Sequence, residues 1–92
     1  MDAYAKLVTS IISEQEHIIG PLAVEQANRV EGLKVNWDDH TVSFEGDKTA
    51  IVEQLVEQFE QLFGKTSVEV CKSAARPYLS QLQPAEVPQL LR

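Results

Sequence analysis

Residues 33–45, LKVNWDDHTVSFE, are where the hydrophobic period changes from 3.6 to 2, and that change decides the fold class. Leu33, Val35 and Trp37 alternate with Lys34 and Asn36, while Val42 and Phe44 alternate with Thr41, Ser43 and Glu45. The Asp38-Asp39-His40 turn between them makes a β-hairpin with one apolar face. The segments on either side carry helical spacing, so the chain reads as α+β in the order α-α-β-β-α-α. A lone two-stranded hairpin is marginal in water. Its apolar face therefore has to pack on the helices, and pairing of one open edge with a second copy would build a four-stranded sheet through dimerisation.

Downstream, residues 47–63, DKTAIVEQLVEQFEQLF, place Ile51, Val52, Leu55, Val56, Phe59, Leu62 and Phe63 on one stripe of a helix. Asp47 stands at the N-cap and Gly64 at the C-terminal left-handed position. The outer face, Glu53, Gln54, Glu57, Gln58, Glu60 and Gln61, contains no lysine or arginine. Thr66 and Glu69 have capping-box spacing, which predicts a fourth helix over about 67–76, with Val68, Cys71 and Ala75 inward and Pro77 as its stop. Residues 80–92, SQLQPAEVPQLLR, hold two prolines and no sustained period, and read as a flexible tail on a single domain spanning 1–79.

Upstream, Tyr4, Leu7, Val8, Ile11, Ile12, Ile18 and Ile19 form the stripe of the first helix, interrupted by Gln15. Asp2 is placed to cap it and Gly20-Pro21 to end it. Residues 22–31 then predict a short helix with Ala23, Ala27 and Val30 inward and Gly32 closing it, although LAVEQ also fits a strand.

Ninety-two residues allow one modest core, and 43% hydrophobic with 24% charged residues is ordinary for a globular chain. No apolar run is long enough to span a bilayer, and MDAYAKLV lacks the pattern of a signal peptide. A single cysteine cannot form an internal disulfide, which points to a reducing compartment and a cytoplasmic location. The net charge of −6 is concentrated in residues 38–69, where eight acids face two lysines; residues 70–92 are net positive by two. A nucleic-acid binder needs a concentrated basic face, and the acidic middle third repels anionic lipid as well. The partner expected is a protein of basic or mixed charge, with neither nucleic acid nor membrane.

Four patterns invite a chemical reading. Gly64-Lys65-Thr66 ends like a phosphate-binding loop, but the glycine required five positions earlier is Phe59, and the context is helix to helix. Glu14 and His17 have the Glu-x-x-His spacing of di-iron bundles without the second motif such sites need. Asp38-Asp39-His40 lacks the ligand spacing and glycine of a calcium loop. Cys71 lies in the first turns of its helix beside Lys72, yet on the inward stripe, where a cysteine acts as a small core residue. These readings assign no catalytic residue, no metal and no cofactor.

Partner binding has three candidate surfaces: Trp37 as an aromatic anchor beside the acidic turn, the carboxylates Glu53, Glu57 and Glu60, and a basic cluster of Lys65, Lys72 and Arg76. For Trp37 the competing role is a lid over the hairpin core. Leu82, Val87, Leu90 and Leu91 give the tail apolar side chains with three open roles: docking on its own domain, binding a partner, or staying mobile. The leading expectation is a non-enzymatic regulatory or adaptor domain. The alternative is a small-ligand module with an apolar pocket between hairpin and first helix near Trp37, Phe44 and Ile12, and a thiol enzyme centred on Cys71 ranks third.

The run Ile18-Ile19-Gly20-Pro21-Leu22-Ala23, with Gly32-Leu33-Lys34-Val35 and Glu45-Gly46-Asp47, resembles small conserved cyanobacterial proteins of poorly defined biochemistry. The resemblance covers most of residues 1–79. It implies a regulatory protein without a reaction of its own, linked to biofilm formation and the switch between planktonic and attached growth. No site residues come with it.

Overall fold

Asp2 opens helix α1 (Ala3–Ile19) by accepting the Ala5 N–H at 2.8 Å, and Gly20 closes it, donating its N–H to the Glu16 carbonyl. The computed structural model describes residues 2–92. A short α2 (Leu22–Asn28), strands β1 (Leu33–Asn36) and β2 (Thr41–Phe44), and helices α3 (Lys48–Phe63) and α4 (Lys65–Leu79) follow in that order. The α+β class and the helix-helix-hairpin-helix-helix order are as the periodicity predicts. Helix α2 ends at Asn28 rather than at 31, and Val30 is buried from the turn that follows.

The strands pair antiparallel with Leu33 opposite Phe44 and Val35 opposite Val42, so the apolar side chains share one face. That face meets α1, where Phe44 packs edge-on against Tyr4 at 6.5 Å between ring centres. The outer edge of β1 is closed locally. Leu33 donates its N–H to the Val30 carbonyl, and Val35 donates to Asn28 Oδ1 at 3.1 Å. Only the β2 edge therefore remains for the strand pairing considered above.

The core joins Leu7, Val8, Ile11 and Ile12 of α1 to Val52, Leu55, Val56 and Phe59 of α3 and to Val68, Cys71 and Ala75 of α4. Gln15, which broke the predicted stripe, is a large polar side chain buried within the core. The amide Nε2 donates to the Ser67 carbonyl (3.1 Å) and to Ser67 Oγ (2.9 Å), and lies 3.5 Å from Cys71 Sγ. Buried polar groups persist where they are bonded, and here the bonds fix the rotation of α1 against α4.

Three expectations are corrected. Helix α4 begins at Lys65, directly after Gly64, and no capping box forms at Thr66. The left-handed backbone of Gly64 (φ 82°) turns the chain early enough for both Thr66 and Glu69 to lie inside the helix. Helix α4 also runs through Pro77 to Leu79. The carbonyl that Pro77 leaves without its helical partner belongs to exposed Ser73, and Tyr78 and Leu79 pack on the core beyond it, so packing overrides the proline. The third correction concerns residues 80–92. These fold back as two 3₁₀ turns (Pro84–Glu86 and Gln89–Leu91), with Pro88 and Leu91 buried. The Glu86 carbonyl accepts from Tyr4 Oη at 2.8 Å, and Glu53 Oε1 accepts the Leu90 N–H at 2.8 Å. The absence of a helical period hid a packed segment, because two anchors spaced by prolines need no period.

Leu91→Ala is accordingly expected to lower stability by roughly 2–3 kcal/mol, as for a buried leucine. Urea unfolding followed by circular dichroism checks this; an unchanged midpoint would show that the segment does not stay docked in solution.

Candidate functional site

Helices α1 and α4 run antiparallel and approach closely because small side chains meet at their seam. Ser10 Oγ donates to the Ala74 carbonyl at 2.8 Å, and Gln15 reaches Ser67 further along the seam. The larger side chains stand off on either side and leave a surface groove. Its central cavity, about 560 Å³, is lined by Ser10, Glu14 and Ile18 from α1 and by Thr66, Glu69, Val70, Ser73, Ala74 and Pro77 from α4. A hollow of about 280 Å³ continues it past Ser10 towards Lys6 and Tyr78. A smaller one of about 90 Å³ continues it past Ile18 towards Ile19 and Phe63.

Ile18 is 62% exposed at this end of the groove, and Leu62, beside Phe63 at the end of α3, is 50% exposed. Both fall on the predicted core stripes, so periodicity alone assigned them inward. The stripe of each helix is wider than the core at its end: Ile19 and Phe63 still pack on the core before the chain turns at Gly20 and Gly64, while Ile18 and Leu62 beside them are left on the surface. No sequence signal marked Ile18 as different from Ile11 or Ile12; an excess of stripe over available core was the available hint.

The predicted site residues are dispersed rather than gathered. Trp37 opens the hairpin turn, half-buried, with Nε1 donating to Glu16 Oε2 at 3.0 Å and its ring 4.5 Å from that of His40. It ties the turn to α1 and packs partly buried against the core. Glu53 is engaged by the Leu90 N–H and is not part of a free acidic face, whereas Glu57 is exposed and Glu60 half-buried on the same side of α3. Lys65, Lys72 and Arg76 share one face of α4 by their spacing of seven and four. Lys72 pairs with Glu69 at 3.5 Å, and no ion pair links these bases to the α3 carboxylates among the described residues. None of the three hollows is lined by Trp37, Phe44 or Ile12, and Ile12 is fully buried.

The remaining motifs resolve into structure. Gly64-Lys65-Thr66 is the junction between α3 and α4, with the Gly64 N–H on the Glu60 carbonyl at 2.8 Å. Asp39 accepts from Asn36 Nδ2 at 3.0 Å, and His40 adopts the left-handed conformation (φ 54°) that closes the turn. Among the described residues no three His, Cys, Asp or Glu side chains converge as metal ligands. Nor, among those residues, is any helix long and apolar enough to cross a membrane.

Cys71 is buried, and burial pushes its thiol up to about 11 from 9.0 against a smaller opposing effect of the Gln15 hydrogen bond. At pH 8 the native thiolate fraction is then about one in a thousand, the reverse of a reactive cysteine. Native Cys71 is expected to react with a thiol reagent only through opening of the fold, at a rate that jumps on adding denaturant. Fast native labelling would contradict this. Because the folded state holds the proton more tightly, the thiol's contribution to stability is complete below pH 9 and is lost as pH rises towards 11.

Comparison with known proteins finds no matching family model, no matching curated protein and no matching solved structure.

Proposed function

We propose that this chain is a regulatory or adaptor domain that works by binding another protein through the α1–α4 face. The observation that carries the reading is the groove itself, whose lining includes an isoleucine 62% exposed. The reading is preferred over a thiol enzyme because Cys71 is buried and its thiol is pushed up by that burial, and over an apolar ligand pocket because this groove lies away from the hairpin. The control of biofilm formation is the setting implied by the sequence resemblance and rests on it alone. A cytoplasmic location belongs to the same reading, through the single free thiol.

The test uses the full chain, since residues 80–92 contribute Leu91 to the core. Proteins captured on it are purified and recombined with it, and the mass of the mixture is measured by light scattering. A discrete complex of the two purified chains supports the reading. No captured protein that forms such a complex with folded bait would overturn it. Charge reversal on α3 is best confined to Glu57 and Glu60, because changing Glu53 also removes the acceptor for Leu90.

A further inference from the structure

We infer that the seat of residues 84–91 is a recognition site for Pro-x-x-Leu segments, and that the chain's own segment closes it against a partner segment of the same pattern. The seat is separate from the α1–α4 groove. Tyr4, Thr49 and Glu53, which anchor the segment, line none of the three hollows.

The seated segment displays what the site reads. Two of its side chains, Pro88 and Leu91, are buried in the domain, three positions apart. Gln89 between them is exposed, as are Pro84, Ala85 and Glu86 before them. The turn that carries Leu91 packs on both α3 and α4. Polar anchors lie on either side of Pro88. The Glu86 carbonyl accepts from Tyr4 Oη at 2.8 Å and from Thr49 Oγ1 at 3.1 Å, and the Leu90 N–H donates to Glu53 Oε1 at 2.8 Å. Both anchors hold backbone groups, so they set position and direction without selecting a side chain. Selection falls to the two buried positions. Proline suits the first because it brings no N–H to leave unpaired on burial, and its φ of −56° is the angle its ring fixes.

The segment is also built to leave as a unit. Gln83 and Glu86 cap one another, and Arg92 donates from Nε to the Val87 carbonyl (3.2 Å) and from Nη2 to the Pro84 carbonyl (3.3 Å). Among the described residues, the only groups of 83–92 bonded to the rest of the domain are the Glu86 carbonyl and the Leu90 N–H. Departure therefore breaks no helix or strand ladder and is a local opening, short of global unfolding. A partner segment with proline and leucine at this spacing meets the same two positions and the same anchors. The tethered copy opposes it at an effective concentration on the order of millimolar.

The experiment uses the full chain and a labelled peptide of residues 83–92, QPAEVPQLLR. A Leu91→Asp chain, checked for a cooperative thermal melt, frees the seat while keeping its anchors. It is expected to bind the peptide at least about tenfold more tightly than the unaltered chain, whose own segment competes. Adding Glu53→Ala to that chain weakens binding, and Pro88→Asp or Leu91→Asp in the peptide abolishes it. Changing the exposed Ala85 and Gln89 of the peptide leaves binding intact, which is the condition for a foreign segment to fit. A folded variant that takes up no peptide, or that takes up the substituted peptides equally, would overturn the inference. Because Leu91→Asp removes a core contact, a second measurement uses the unaltered chain. Exchange of the Leu90 amide hydrogen is expected to quicken at least threefold in about 10 mM peptide, as the displaced segment loses Glu53. An unchanged exchange rate would count equally against the site. Concentration-dependent doubling of the unaltered chain's mass, abolished by Leu91→Asp, would overturn the partner assignment and seat the segment of a second copy instead.

Discussion

Phe59→Ala is expected to remove roughly 3–5 kcal/mol of stability, the largest effect of any single truncation in this chain. Phe59 is the largest fully buried side chain and lies where α3 enters the core shared with α1 and α4. A domain of this size has about 5–14 kcal/mol in total, so the variant stands near the edge of folding. The neighbouring Phe63, 6.5 Å away between ring centres, is only half-buried at the end of α3. Its truncation loses partial burial without leaving a closed void and is expected to cost about 1 kcal/mol. Urea unfolding of the two variants side by side checks the contrast. Similar losses would mean that the end of α3 is as well covered as its middle.

Gly32→Ala is expected to be the second most damaging change, at roughly 3–4 kcal/mol, with a fall in Tm of roughly 15–25 °C. Two costs combine. Gly32 has φ 86°, a left-handed conformation that strains an alanine by about 1–2 kcal/mol. A Cβ built there would also lie 2.5 Å from the Glu45 carbonyl oxygen and 3.0 Å from Ile51 Cδ1. Backbone cannot rotate away as a side chain can, and Glu45 is held in place by donating its N–H to the Gly32 carbonyl at 2.7 Å. The hairpin must therefore shift off the start of α3. Gly64→Ala is the internal control, since φ is 82° there but no atom lies within 4 Å of the added Cβ. It incurs the conformational strain alone. Equal melting temperatures for the two variants would show that the contact with Glu45 is relieved cheaply.

The architecture was legible because each element announces itself over a short range. The alternation at Leu33, Val35, Val42 and Phe44 required a hairpin, the stripes from Tyr4 and from Ile51 required helices, and Asp2, Asp47, Gly20 and Gly64 bracket those helices as predicted. These are properties of neighbouring residues and their backbone angles, so the sequence by itself determined them.

Tertiary structure decided the rest. Whether Ile18 is core or surface depends on how far α4 extends beside it, and whether Glu53 is a free charge depends on where Leu90 comes to lie. Gln15 looked like a defect in a stripe until Ser67 and Cys71, more than fifty positions away, supplied its partners. Pro77 stops an isolated helix, yet contacts of Tyr78 and Leu79 with the core carry α4 past it. The candidate site belongs to this second group. A groove is the space left between two helices that meet at small residues, and that space follows from the packing of Ser10 against Ala74, to which no local pattern in either helix refers.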